Sequence, residues 1–288
     1  MPTEIIGIPP IIHSINTGGR FLSFQKPVVM GILNITPDSF YAESRTEGID
    51  NTLDIAGKML EEGARILDIG GYSSRPGAED ISEEKEIDRV IPIIKNIKQK
   101  FTQAVVSIDT FRARVAEKAV EAGADIVNDI SGGSLDEDMF KVVGELSVPY
   151  ILMHMKGTPQ NMQGFTEYED IIGEIITYFE EKILKLRSFG GKDIILDPGF
   201  GFAKNLDQNY QLLNQLPALQ IFELPLLVGV SRKSMIYKLL ESSPEESLNG
   251  TSVLNTIALL SGANILRVHD VKEAAQAIKI FEKLKKTA

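Results

Sequence analysis

Hydrophobic positions along the chain gather into eight short runs rich in β-branched residues: VVMGILNI, ARILDIGG, AVVSID, ADIVNDI, VPYILMH, DIILD, PLLVGV and ANILRV. Most are apolar almost without interruption, the pattern of strands buried on both faces, as in a parallel sheet. Each run is followed by a polar or glycine-rich turn and then by a stretch of helical period. FRARVAEKAVEAG is one such stretch, with Thr110 placed to cap its start and Gly123 where a C-terminal stop belongs. EYEDIIGEIITYFEEKILKLRSFGG is another, acidic early, basic late and closed by a glycine pair. Spread over eight units, 288 residues give 36 per unit, the length of one βα repeat. The pattern predicts an α/β protein, a single (β/α)8 TIM barrel over residues 27–288, with residues 1–26 as an N-terminal extension capping one barrel end. An open doubly wound sheet is the structural rival.

Composition narrows the chemistry. The chain is 43% hydrophobic and 24% charged, an ordinary water-soluble globular balance. Lys and Arg number 30 against 40 Asp and Glu, a net charge of −10, so no long-range positive field draws nucleic acid or an anionic membrane surface. Any anionic substrate must be held by a local cluster of cations. The chain has no cysteine, which excludes disulfides, thiolate metal sites, cysteine nucleophiles and iron–sulfur clusters. Glu4 and the Pro9–Pro10 pair stand where a signal peptide would carry positive charge and unbroken apolar sequence. No apolar run approaches the roughly 18 residues of a membrane span. The expected location is the cytoplasm.

In a barrel of this kind the active site lies at the C-terminal ends of the strands. At or just past the eight runs stand Asn34, Asp68, Asp109, Asn128, His154, Asp197, Ser231 with Lys233, and Arg267 with His269. Asn and Asp are common where loops begin, so any one position has a bland explanation. Polar residues at all eight, some embedded in the apolar run itself, point to a site. Familiar signatures are missing: there is no GxxxxGK[ST], no HExxH and no strand–GxGxxG–helix unit, and GVSRK carries Lys233 where a nucleophile elbow needs glycine. Only three histidines are present, too few for a multi-histidine metal centre with His13 outside the barrel pattern. Two kinds of chemistry remain. Asp109, Asn128 and Asp197 offer acceptors that can read a guanidine-like N–H fork on a heterocycle. Arg75, Lys233, Arg267 and His269, cations on different loops of an acidic chain, suit a phosphorylated or pyrophosphorylated ligand.

The motifs MGILNITPDSF, GGYSSRPGA, SIDT, NDISGG, LMHMKGTPQNMQ, DPGFGFAK, VGVSRKS and RVHDV occur in this order from Met30 onward, and together they resemble the dihydropteroate synthases. The resemblance implies a (β/α)8 enzyme, usually a homodimer, that condenses 7,8-dihydropterin-6-ylmethyl diphosphate with 4-aminobenzoate, releases pyrophosphate and uses Mg2+. It assigns Asp109, Asn128, Asp197 and Lys233 to the pterin ring, with Met153 packed against it. It assigns Asn34 to Mg2+, and Ser74, Arg75, Arg267 and His269 to the diphosphate. Phe40, Pro76, Phe202 and Ser231 would surround the aminobenzoate, and Asp109, Lys233, Arg75 and Asn34 would carry the catalysis. Sulfonamides, mimics of the second substrate, are the implied inhibitors.

Departures from the family pattern are few. YAES (Tyr41 to Ser44) replaces a glycine-containing stretch after Phe40, which stiffens that loop. Ser74 stands for a usual threonine and Ala203 for a common glycine, both expected to be mild. Asp68 and His154 are expected to order the barrel mouth rather than to touch ligand. Two rival functions share the pterin-facing residues. A corrinoid methyltransferase of the same superfamily would not need the anion-holding set Asn34, Arg75, Arg267 and His269, and a noncatalytic pterin-binding protein would bind the ring without turnover.

Overall fold

The computed structural model describes residues 13–35, 45–73 and 80–287. It opens with an antiparallel hairpin, β1 (Ser14–Thr17) and β2 (Arg20–Ser23), in which Thr17 pairs with Arg20. The two residues of its turn, Gly18 and Gly19, both have positive φ (63° and 87°), which glycine adopts without penalty and which matches the strand twist. Eight strands follow: β3 (Val28–Asn34), β4 (Ala64–Gly70), β5 (Val105–Asp109), β6 (Ile126–Asp129), β7 (Tyr150–Met153), β8 (Ile194–Asp197), β9 (Leu227–Val228) and β10 (Ile265–Val268). They form one parallel sheet in the spatial order 8-7-6-5-4-3-10-9. Closure comes at its two ends, where the Leu196 amide of β8 donates to Pro225 O at 2.9 Å, just ahead of β9. The eight apolar runs of the sequence are these eight strands, and the sheet curls into a nearly closed barrel rather than an open layer.

Side chains alternate along each strand, so every second residue faces the barrel axis. Met30, Ile66, Ile126, Ile151, Ile195, Leu227 and Ile265 share one interior cluster, which also contains Ile15, Leu22 and Phe24 of the hairpin segment. The hairpin therefore seats its apolar side chains on the N-terminal ends of the strands. The neighbours of opposite parity, Val29, Leu67, Val127, Leu152, Leu196, Val228 and Leu266, belong to a second cluster shared with the surrounding helices. Both faces of each strand are thereby dry, as the unbroken apolar runs require.

Helix ends follow the sequence with one correction. The stretch beginning at Phe111 is helical over Ala113–Glu121 and stops at Gly123, φ 114°. Thr110 does not cap it: its Oγ1 accepts from the Arg112 amide at 3.2 Å, while the Ala113 amide donates to Asp136 Oδ2, 2.7 Å away on the next loop. A carboxylate is the stronger acceptor at a helix start, and it arrives from outside the local sequence. Among the described residues no helix is long and apolar enough to cross a membrane.

Ile15 is 1% exposed. Ile15→Ala is expected to lower unfolding stability by about 2–4 kcal/mol through the cavity left under the barrel floor. Urea denaturation checks this, and an unchanged midpoint would detach the hairpin from the interior cluster.

Candidate active site

The inward parity that gives the apolar floor also places the polar residues. Two positions beyond Ile66, Ile126, Ile151, Ile195 and Ile265 come Asp68, Asn128, Met153, Asp197 and Arg267; four beyond Met30 and Val105 come Asn34 and Asp109. Parallel register lines them up, with Asn34 opposite Gly70, Gly70 opposite Asp109, Asp109 opposite Asn128, and Met153 opposite Asp197. Ser231 and His269 continue the same steps past β9 and β10. Residues distant in sequence thus share one mouth.

Arg267 is the hub. Its Nε donates to Asp68 Oδ2 at 2.7 Å, and its Nη2 lies 2.6 Å from both Asp68 Oδ2 and Asp109 Oδ2. Asp68, fully buried, also accepts from Asn128 Nδ2 at 3.1 Å. One guanidinium serves two carboxylates, so ionising both would leave the trio with a negative charge that Arg267 alone does not cancel. Burial pushes Asp109 up to about 7, against the pull of Arg267 and with help from repulsion by Asp68. Burial also works against the charge on Arg267, but the two carboxylates outweigh it and raise its pKa.

The second group is built on the loop after β8. Asp197 Oδ1 accepts from the Gly199 amide at 2.8 Å, and burial raises its pKa against the pull of Lys233. Lys233 donates to Phe200 O and lies 4.8 Å from the ring centre of Phe202. Burial lowers Lys233 to about 8, opposed by Asp197. Two glycines are required here: Gly199 (φ 71°) sits where a β-carbon would come within 2.0 Å of His154 O, and at Gly201 (φ 80°) one would press on the Lys233 stem at 3.2 Å. Ala203 also has positive φ, 49°, a region that costs an L side chain and not a glycine, so the residue expected to be a mild replacement is strained. Met153 and Phe202 meet in one apolar patch with Ile130, Met155, Met162 and Ala203.

The third group is at the ends of β9 and β10. Ser231 Oγ lies 3.1 Å from His269 Nδ1 and accepts from the His269 amide at 3.2 Å. The hydroxyl expected at the aminobenzoate is therefore shared with the histidine expected at the diphosphate. Asn34 is exposed, with its Oδ1 3.4 Å from where a β-carbon on Gly70 would stand, so the bare glycine leaves room beside that oxygen. Among the described residues no group of three or more His, Cys, Asp or Glu side chains converges to hold a metal. A single neutral oxygen at an open mouth nonetheless suits a hard cation that keeps water and phosphate oxygens as its other ligands.

The structure brings together Asn34, Asp109, Asn128, Met153, Asp197, Phe202, Ser231, Lys233, Arg267 and His269. Phe40, Ser74, Arg75, Pro76 and the Tyr41–Ser44 departure lie outside the described residues. Sequence reasoning missed three features. Arg232 (φ 54°) clasps Asp270 through two hydrogen bonds of 3.0 and 2.6 Å, tying the last two loops together. Arg112 pairs with the fully buried Glu86 at 2.6 Å beside Tyr72. Lys204, 4% exposed, sits inside the loop after β8. Only Lys204 had a signal, a lysine closing a glycine-rich apolar motif.

A parallel barrel that buries carboxylates, an amide and cations in step at one mouth is a barrel enzyme for a polar, anionic small molecule. A family model described as pterin binding enzyme matches residues 30–269. The chain is 46% identical over 263 residues to the dihydropteroate synthase of Synechocystis, covering 90% of this chain and 91% of that protein. It is 43% identical over 266 residues to that of Escherichia coli K12, covering 92% and 94%. A crystal structure of the Yersinia pestis dihydropteroate synthase with a sulfonamide drug superposes with a TM-score of 0.88 at 42% identity, over 96% of this chain and 100% of that one. The chain belongs to the pterin binding enzyme family.

The Asp109 shift has a measurable consequence. The folded chain keeps this proton up to about pH 7, whereas its ordinary value is 3.8. The folded state therefore binds more protons in that window, and the group's contribution, full below the lower value, is lost as pH rises toward the upper. Thermal melts from about pH 4 to about pH 8 should show the ligand-free wild type losing stability relative to Asp109→Asn as pH rises. Parallel curves would remove the shift from Asp109.

Proposed function

We infer that this chain is a dihydropteroate synthase, joining 7,8-dihydropterin-6-ylmethyl diphosphate to 4-aminobenzoate with release of pyrophosphate. The observation that carries this reading is the convergence of Asp109, Asn128, Asp197 and Lys233 on one mouth of a family barrel. A pterin presents a 2-amino-pyrimidinone edge, a planar N–H fork that the buried Asp197 carboxylate accepts through two parallel bonds. Asn128 and Lys233 complete the hydrogen bonding, and Met153 supplies an apolar surface for the ring.

The reaction is a dissociative substitution at the methylene carbon. The C–O bond to the diphosphate breaks first, and its electron pair leaves with the diphosphate. Asp109 accepts a ring N–H, so that ring electrons stabilise the cation left on the methylene. The neutral arylamine then forms the C–N bond and gives up a proton, needing no strong base. Arg267 and His269, with Ser74 and Arg75, hold the departing group. Asn34 would hold Mg2+ through Oδ1, and the metal when bound neutralises charge gathering on the leaving diphosphate. Phe202 and Ser231, with Phe40 and Pro76, surround the arylamine, the site a sulfonamide would contest.

The assembly proposed is a cytoplasmic homodimer. Val253, Ile257 and Leu260 fall on one stripe of the helix Leu248–Leu260 and are 50%, 39% and 62% exposed, an apolar face suited to a second copy. Light scattering is expected to give twice the chain's 31.7 kDa, and Ile257→Lys to give the single mass. A monomeric wild type would rule the dimer out.

Pyrophosphate release from the pterin diphosphate tests the activity: sustained turnover should require both Mg2+ and 4-aminobenzoate. Sustained turnover at the same rate without the arylamine would overturn the reading. Asp197→Ala is expected to weaken pterin binding by about 2–4 kcal/mol in calorimetry, the cost of leaving a buried polar partner unpaired. Unchanged affinity would remove Asp197 from the pocket.

A further inference from the structure

Lys204 has no role in the chemistry above, yet it is the most fully committed cation at the mouth. Its Nζ has three partners, His154 Nδ1, Gly199 O and Phe202 O, each at 3.0 Å. Burial lowers the Lys204 pKa to about 7, opposed by Asp197; in its protonated form the ammonium has three protons and no lone pair, so the three acceptors use it completely. His154 is 2% exposed, and burial holds its ring neutral, well below the usual range. Its Nδ1 can then accept from the lysine while Nε2 carries the ring proton.

We propose that Lys204 is a positioning residue for ring recognition, holding the loop after β8 against the end of β7 so that the Asp197 carboxylate meets the substrate in a fixed orientation. This rests on the function inferred above. Carbonyls of this one loop are divided between two lysines: Gly199 O and Phe202 O go to Lys204, and Phe200 O goes to Lys233. Fixing Gly199 through its carbonyl also fixes the residue whose amide binds Asp197 Oδ1 at 2.8 Å. The β7 side of the clamp is itself immobilised. The His154 amide donates to Asp197 O at 2.9 Å, the His154 ring packs edge-on against Tyr178, and the Tyr178 hydroxyl donates to Met153 O at 3.0 Å. Beyond the loop, Asn209 Oδ1 accepts from the Gly201 amide at 2.6 Å. With these restraints in place an apolar stem at 204 could fill the space, whereas only a cation can gather three inward-turned acceptors. A buried charge is a costly way to fill a core, and its return here is orientation.

Lys204→Met separates orientation from packing. Because it keeps the stem but leaves three buried acceptors without a donor, its melting temperature is expected to fall, and ring affinity is read on the folded protein. Affinity for 6-hydroxymethylpterin, a ring without diphosphate, should fall at least about tenfold in calorimetry, the scale on which small misplacements of recognition groups act. His154→Leu, which deletes one acceptor and leaves the lysine, should weaken ring binding in the same direction. His154→Gln, whose amide oxygen can take the place of Nδ1, should recover it. Wild-type affinity in a folded Lys204→Met overturns the proposal, and so does a loss in His154→Leu that glutamine fails to rescue. If Lys204→Met does not fold, the histidine pair decides. A wild type that neither binds the ring nor releases pyrophosphate would instead bring down the functional reading, so the two failures are distinguishable.

Discussion

The alternation of side chains along a strand is the constraint from which the rest follows. In a nearly closed barrel every second residue must face the axis, and that axis has a dry end and an open end. At the N-terminal end the inward positions are Met30, Ile66, Ile126, Ile151, Ile195, Leu227 and Ile265, sealed by Ile15, Leu22 and Phe24. One step of two residues toward the open end converts that layer into Asp68, Asn128, Met153, Asp197 and Arg267. A slip of one residue in any strand would send its functional side chain out among the helices. The apolar floor is therefore what holds the chemistry in register.

Charge in such a mouth is met at short range, because Asp68 and Asp197 are buried. Asp68 is fully buried and shares Arg267 with Asp109, while Asp197 faces Lys233. The result is a set of fixed dipoles and charges whose reorganisation need not be supplied at the moment of reaction. It also fits the reading proposed above, in which these groups hold a heterocycle and a leaving anion and a neutral amine supplies the nucleophile without a catalytic triad.

Much of this was legible in the sequence because it depends on period and position. The eight apolar runs became the eight strands, and the polar residues at their ends became the mouth. The hairpin was missed although Gly18–Gly19 between two short alternating stretches is a strong turn signal; its strands are only four residues each and hidden beside the apolar run that follows. The Thr110 cap failed because Asp136, 26 residues away, offers a better acceptor for a neighbouring amide. Clasps such as Arg232–Asp270 and Glu86–Arg112 join separate elements, and pairing between elements leaves no periodic trace in the chain.

The loop after β8 shows how far a motif can be read and where reading stops. Its glycines are decipherable in principle, since Gly199 and Gly201 need positive φ and close contact. Ala203 in the same backbone region is a local conflict that the loop tolerates, and what tolerates it is the surrounding set of restraints, Lys204 and Asn209 among them. Strain, buried charge and tight turns coincide in this one segment, next to the Asp197 carboxylate proposed to read the ring. Stability and function are thereby divided between the ends of the barrel: the dry floor carries the packing, and the open mouth retains costly features whose benefit appears only when substrate is bound.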